Sequence, residues 1–483
     1  ALLETGAAPE AEAVLLEWLG KGQAAPVAER RELAKLLGRL GEDRWAPALG
    51  EAMKDGDPSV RALAIQAVGE GRCVSLASTL LPFLTWRDER RTARDALSAL
   101  GDEIVPLLEE VLNDRSRPAA LRYQLPRVLR QIGTQQAFDA LLFSNVQDDA
   151  FLHYRIGVAL SWLKEERPEL EVDARRAREA IGRRRDTYRQ LVGPWRDLRV
   201  ALGDGSLLTR AVGDRLDQAF EISFWLMGLL YPPKTMRRIH AHLVGTDARR
   251  RAYALELLEN LVDDEDRELV ALQVHAHHRD LPPGAAGRLA DQLEKLCQSD
   301  DHVLRACAQH LARAQGVWPL APSENDMSDA TLKRMFALEG VEIFAQSDVD
   351  DISAVAAVAR EVRFRAGERI YEEGDPGDAL YVIVTGTVDA YRRGDRVLTL
   401  KDREQFGDVS LLDGSPRPTL MIAREDTSCL VIDRRDFLDL IADRPELLKG
   451  IFRAVSRQLS EVVDLAARRN TGELAVALTS RIG

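Results

Sequence analysis

Three segments of this chain share one pattern: an aspartate, an arginine four residues later, then Ala-x-Ala. They are Asp57-Pro-Ser-Val-Arg61-Ala-Leu-Ala64, Asp247-Ala-Arg-Arg-Arg251-Ala-Tyr-Ala254 and Asp301-His-Val-Leu-Arg305-Ala-Cys-Ala308. Tyr154-Arg155 to Leu163 is a weaker copy, and Gly69, Gly101 and Gly133 recur at a constant interval of 32 residues. Internal repetition constrains a fold more than composition does. A helix pair of this size cannot bury its apolar stripe alone, so neighbours must stack. The residue types fit that reading. Asp57 is placed to cap the free N–H groups of a helix start, and Pro58 suits its first turn. The alanines permit close helix approach, and the three glycines are expected to end helices in the left-handed conformation.

The pattern resembles HEAT-like repeats of a short class, over about residues 10–165 and 235–315. The resemblance implies an all-α solenoid that binds a protein partner or transmits strain. Residues 166–235 depart from the period. Between Arg175 and Arg189 lie seven arginines (Arg175, Arg176, Arg178, Arg183, Arg184, Arg185, Arg189), which read either as a helix face balanced by nearby acids or as a basic contact for an acidic partner or membrane surface. The apolar run Phe220–Tyr231 falls short of the about 18 apolar residues that a membrane span needs, and is expected to be a buried helix. Leu229-Leu-Tyr-Pro-Pro233 together with Asp247–Leu261 is similar to the soluble region behind the membrane domain of bacterial translocase-like proteins of the ADP/ATP-carrier type. That resemblance implies a membrane domain upstream of Ala1; no transporter domain lies in this chain.

Pro319–Asp329 reads as a domain boundary, followed by a helical stretch at Leu338–Val358. The period then switches to two. In Phe364–Val388, Gly367, Gly374, Gly377 and Gly386 punctuate short strands with tight turns. This glycine spacing closely resembles the cyclic-nucleotide-binding domain family, over more than 100 residues. The resemblance implies an α+β domain, a β jelly-roll barrel with flanking helices. It also places a phosphate-binding cassette at Phe406-Gly-Asp-Val-Ser-Leu-Leu-Asp-Gly-Ser-Pro-Arg417-Pro-Thr419. Carried over residue by residue, Gly407 lets the backbone approach the sugar, and Asp408 accepts from the ribose 2′-OH. The N–H groups of Ser410 and Leu411 favour an anion at the start of a short helix. Arg417 pairs with the cyclic phosphate through its planar fork. The ligand implied is cAMP or cGMP, with no cofactor. Two residues depart from the family pattern. Asp408 is a methylene shorter than the usual glutamate, and Pro418 lacks the N–H that a small residue there supplies. The hydroxyl of Thr419 is the candidate substitute for that donor. The alternative is a barrel that keeps the fold without the ligand, with Arg417 paired to an acid such as Asp413. Phe437, Leu438, Leu440 and Ile441 open a further helical region. Ile451, Val455, Leu459 and Val462 then recur at helical spacing, as a lid over the ligand, a core helix or a dimer seam.

The totals exclude several classes. A net charge of −12 argues against broad binding to nucleic acid. Cys73, Cys297, Cys307 and Cys429 form no CxxC pair and read as reduced structural thiols of a cytoplasmic protein. No signal peptide, kinase signature, P-loop or nucleophile elbow is visible, and the histidines at 275, 277 and 278 lack companion ligands for a metal. The 14 residues after Arg469 are too few for a winged helix. The chain is therefore expected to be a non-enzymatic regulatory module: a HEAT-like array over 1–165, a helical linker region with further repeats over 166–320, a cyclic-nucleotide-binding domain over 328–470 and a tail over 471–483. The alternatives are an interaction scaffold with a ligand-free barrel, or the soluble part of a transporter-like protein; homo-oligomerisation is open.

Overall fold

The structure is a computed structural model, which describes residues 24–456 apart from 41–44, 87, 147–148, 276–288, 317–326, 346, 445–446, 449–451 and 453–455. The chain divides into two compact units. The first is drawn from Ala1–Gln190 and Asp217–Asp280, the second from Leu191–Leu216 and Leu281–Gly483.

The first unit is helical. Four of its helices that pack in succession are α1 (Pro58–Glu70), α2 (Arg90–Leu100), α3 (Leu125–Ile132) and α4 (Ala150–Glu166). They are followed by the long α5 (Ala174–Leu202) and α6 (Leu207–Leu230), both of which continue into the second unit, and by α7 (Ala248–Leu261). One apolar core joins Leu37, Ile65, Leu97, Val128, Leu160 and Met227, each nearly or fully buried, as stacking of repeats requires. Among the described residues no helix is long and apolar enough to cross a membrane; Phe220, Phe224 and Met227 are buried, as expected of a core helix.

The repeated Asp-x-x-x-Arg pattern has a local cause. Asp57, Asp247 and Asp301 each cap a helix, accepting from the N–H groups two and three residues on. The arginine then folds back onto the carbonyl six residues before it. Arg61 reaches Asp55 O at 2.9 Å, Arg251 reaches Gly245 O at 3.1 Å and Arg305 reaches Ser299 O at 2.6 Å. The cap satisfies orphan donors and the arginine satisfies an orphan acceptor, so together they fix the angle at which the chain enters the helix. Replacing Asp57 with Ala is expected to lower the denaturation midpoint, because the cap is lost, whereas Asp57→Asn should recover most of the fall.

The glycines divide into two kinds. Gly101 and Gly133 end α2 and α3 with φ of 71° and 73°; Gly133 takes the expected left-handed conformation, whereas Gly101, at ψ −147°, does not. Gly69 does not end a helix. It lies inside α1, where a Cβ would stand 2.7 Å from Ala96 Cα. Gly38 stands in the same relation to Ala67. These positions are small because two helices touch there, not because the backbone turns.

In the second unit, α8 (His302–Ala314) and α9 (Val349–Val358) precede the strands β1 (Arg360–Phe364), β2 (Arg369–Tyr371), β3 (Ala379–Thr385), β4 (Val388–Arg392), β5 (Asp395–Leu400), β6 (Gln405–Phe406), β7 (Leu420–Ala423) and β8 (Thr427–Asp433). They form two four-stranded antiparallel sheets, ordered β1-β8-β3-β6 and β2-β7-β4-β5. Ile383, Val388, Leu400, Phe406, Met421 and Cys429 fill the space between them. A short helix α10 (Asp408–Asp413) joins β6 to β7, and α11 (Arg434–Asp443) follows β8. Burial pushes the Cys429 and Cys307 thiols up to about 12, and all four cysteines are buried and outside any disulfide, so they behave as core residues.

Five of the seven arginines of the basic run in α5 meet an acid within 4.0 Å: Arg175 and Arg176 meet Glu179, Arg178 meets Asp266, and Arg185 and Arg189 meet Asp186. That is the balanced helix face of the two readings. His277 and His278 lie outside the described residues, as do Ile451, Val455, Leu459 and Val462, the residues of the expected lid.

Candidate functional site

The chain between β6 and β7 makes a sharp entry into α10. Gly407 has φ +82°, and a Cβ there would stand 2.9 Å from Ala379 O and against Arg417 Nη1. Gly377, in the loop before β3, would meet Ser410 Cβ and Ser415 O. The two glycines thus seat α10 directly against the β2–β3 loop and against Arg417.

Arg417 is 2% exposed and is the largest fully buried side chain among the described residues. Its Nη2 donates to Ala379 O at 2.6 Å and its Nη1 to Gly407 O at 3.2 Å. Its guanidinium lies 4.4 Å from the Tyr371 ring centroid and 5.7 Å from that of Tyr381. Burial raises the Tyr371 phenol, with Arg417 opposing, so the ring stays neutral beside the cation. The nearest carboxylate contact is Asp378 at 3.7 Å, and that side chain is 81% exposed. Asp413, the acid expected to pair with Arg417 in a ligand-free barrel, instead accepts from Ser415 N at 2.8 Å, which holds its carboxyl below the usual range. A buried cation held by carbonyls and rings, with an exposed aspartate at its edge, suits a transient anion.

The other cassette residues take different parts. Phe406 is buried and stacks on Tyr381 at 5.0 Å, which makes it a wall of the barrel core. Asp408 is half-buried at the first position of α10. Ser410 is buried, and its Oγ has no partner. Leu411 is fully buried, and its N–H donates to Gly407 O at 3.1 Å, closing the first helical bond. The amides ahead of it, from Asp408 to Ser410, belong to the first turn, where an N–H has no carbonyl to reach within the helix. Leu411 N–H is therefore not the free donor expected from the sequence. Pro418 carries no N–H, and the buried Thr419 hydroxyl donates to Met421 Sδ at 3.6 Å. Two buried atoms without partners, Ser410 Oγ and Arg417 Nε, face this corner of the fold. A phosphate-bearing ligand fits such a donor set. Tyr371, Tyr381 and Asp378 are the site residues that sequence reasoning missed. The only sequence signal for them was the strand character of Tyr381.

A chain of polar contacts leaves the cassette. Arg434, at the start of α11, donates from Nε to Leu411 O at 2.8 Å. At the end of α11, Arg444 Nη1 donates to Asp351 Oδ1 at 3.0 Å on α9. The adjacent Asp350 accepts two bonds of 2.8 Å from Arg215 on α6, which also donates to the α8 cap Asp301 at 2.5 Å. Arg210 donates to Ser347 O at 2.7 Å, and Val349 N donates to Asp214 at 2.7 Å. Burial pushes Asp351 from 3.8 up to about 7, outweighing the pull of Arg444. The folded state therefore holds a proton that the unfolded chain has lost between those values, and stability falls as pH rises across that window. Denaturation midpoints taken at its two ends should show a smaller fall for Asp351→Asn than for the wild type.

Antiparallel double sheets, a glycine-bounded helix between strands and a buried arginine behind it define the class of this domain. Residues 361–444 match the family model described as cyclic nucleotide-binding domain, and residues 12–101 match the model described as HEAT repeats. The chain is thus a mostly helical region with HEAT repeats followed by a cyclic-nucleotide-binding domain with flanking helices. Among curated proteins it is 28% identical over 164 residues to the cAMP-dependent protein kinase regulatory subunit of Debaryomyces hansenii, a span of 33% of this chain and 36% of that one. It is 32% identical over 136 residues to the CRP-like cAMP-activated global transcriptional regulator of Mycobacterium tuberculosis, 27% of this chain and 58% of that one. The chain therefore matches only part of each relative. A solved N-terminal domain of a transcriptional regulator from Streptomyces coelicolor A3(2) shows 30% identity, covering 26% of this chain and 95% of that one, with a TM-score of 0.25.

Proposed function

We propose that this protein is a non-enzymatic regulatory module whose C-terminal domain binds a cyclic nucleotide, with cAMP the first candidate. The carrying observation is Arg417: a fully buried guanidinium, aimed by Gly407 and Tyr371, with the exposed acid Asp378 at 3.7 Å. The relatives named for cAMP favour that nucleotide over cGMP. In this reading the Arg417 fork takes the cyclic phosphate, the first-turn amides from Asp408 to Ser410 complete the anion cradle, and Asp408 takes the ribose hydroxyl. Leu411, Phe406 and Thr419 shape the cassette from behind. Pro418 removes one donor, which weakens binding by about tenfold relative to a site that has it.

Ligand state is relayed to the helices beside the barrel. The contacts from Leu411 through Arg434 and α11 to Arg444, and from the Asp350–Asp351 pair to Arg215 and Asp301, support that reading. A ligand shifts the equilibrium only by its different affinity for two arrangements of this path. The similarity to translocase-like proteins rests on Leu229–Pro233 and 247–261. In the structure these form a helix end and the packed helix α7, for which ordinary repeat packing is a sufficient account.

Calorimetric titration of the full chain with cAMP and with cGMP tests the proposal. Saturable heat with cAMP is expected, and Arg417→Ala should weaken binding by about tenfold to a hundredfold. No heat up to millimolar nucleotide, under conditions where a known binder responds, would leave the interaction-scaffold reading in its place.

A further inference from the structure

A second anion-seeking surface lies in the first unit. A cleft of about 350 Å³ opens between α3 and the end of α4, lined by Arg127, Arg130, Gln131, Gly133, Leu163, Glu166 and Arg167. Three guanidinium groups share it with one carboxylate. Arg130 is bound to Glu166, and Arg167 lies 3.7 Å from Glu169 at the exposed rim. Arg127 is exposed, and beside it on α2 stands Arg94, whose buried Nε has no hydrogen-bond partner. Burial and the Arg127 charge together hold Arg94 below the ordinary arginine range. The excess of cation is therefore local, on a chain whose net charge is −12. Next to the cleft, Trp162 is 36% exposed with the Arg130 guanidinium 5.2 Å from its ring.

We infer that this cleft is a docking site for an acidic peptide segment of a partner protein, with a Glu or Asp carboxylate seated on Arg127 and the peptide lying along Trp162. The planar arginine fork suits carboxylate pairing, and an exposed tryptophan flanked by arginine offers rigid area to a peptide chain. The volume admits one or two side chains. Nucleic acid would instead need an extended run of phosphate contacts, against the chain's overall negative charge.

Fluorescence anisotropy of a labelled Glu-rich peptide, titrated with the full chain, tests this. Saturable binding that falls with added salt is expected, with no binding of the same peptide carrying Gln for Glu. Arg127→Glu, on the surface and expected to melt as the wild type does, should weaken binding by at least about tenfold; Arg127→Lys should recover part. The Arg417→Ala variant should bind the peptide as the wild type does, so failure of the nucleotide reading leaves this one standing. Equal affinity for the Gln peptide, indifference to Arg127→Glu, or a tighter complex with an oligonucleotide that depends on Arg127 would each overturn the assignment.

Discussion

Arg215→Ala is expected to lower the stability of the barrel-bearing unit by about 3–5 kcal/mol. The guanidinium is 5% exposed and makes paired bonds to Asp350 and to Asp301. Both carboxylates lie at least four-fifths inside the protein. Removing the cation leaves two like charges facing each other without water, and that uncompensated burial, rather than the worth of the pairs, sets the size of the effect. Burial opposes the charge on Arg215 while both aspartates stabilise it, and the balance holds its pKa well above the ordinary value, so the arginine stays charged at every accessible pH. A cycle of urea denaturation curves measures this. Arg215→Met combined with Asp350→Leu should recover part of the loss, because an apolar replacement removes the desolvation as well as the attraction. Asp301 is best kept in that cycle, since it also caps α8 by accepting from Val303 N and Leu304 N. A loss below about 1 kcal/mol, the range of a surface pair, would remove the network from the account of stability. The same variant tests the relay. If cAMP protects the amides of α8 from hydrogen exchange in the wild type, a bound but uncoupled Arg215→Met protein should protect the barrel alone.

Local chemistry was legible in the sequence, and pairings across long separations were not. The aspartate caps are set by residues two and three positions apart, so the motif announced them. The cassette from Phe406 to Thr419 is continuous, and its glycines, acid and arginine could be read in order. Arg215 meets Asp301 and Asp350 from 86 and 135 residues away, and nothing in the helical pattern of α6 distinguishes it from a solvated arginine. Tyr371 and Tyr381 come to Arg417 from β2 and β3, through strand pairing that the sequence does not specify residue by residue. Gly69 was misread for a different reason. The interval of 32 residues is common to a glycine that turns the backbone and to one that admits a neighbouring helix, and only the contact with Ala96 separates them. Leu411 shows the limit of a motif. Its position in the cassette suggested a free N–H, but a helix of α10's length already uses that amide for its own first bond.

Gly407→Ala should cost more than its backbone angle alone accounts for. At φ +82° an L-residue carries a penalty of about 1–2 kcal/mol. Gly367 measures that penalty by itself, because it has φ +81° and a Cβ there would meet nothing within 4 Å. At Gly407 the added methyl also presses on Arg417 Nη1 and stands 2.9 Å from Ala379 O. The guanidinium must then leave the carbonyls of Ala379 and Gly407 and the face of Tyr371. Each hydrogen bond to a charged group is worth about 1.5–3 kcal/mol, so Gly407→Ala should exceed Gly367→Ala by at least about 2 kcal/mol in a denaturation series. Nucleotide affinity gives an independent readout. Gly367→Ala should bind cAMP as the wild type does once folded, while Gly407→Ala should lose affinity to the level of Arg417→Ala, since in both proteins the fork no longer occupies its post. In the double variant Gly407→Ala with Arg417→Ala, the stability losses should be less than additive, because the arginine that the methyl would displace is already gone. Strict additivity would mean that the glycine serves only the turn, and that Arg417 owes its position to Tyr371 and the strands behind it.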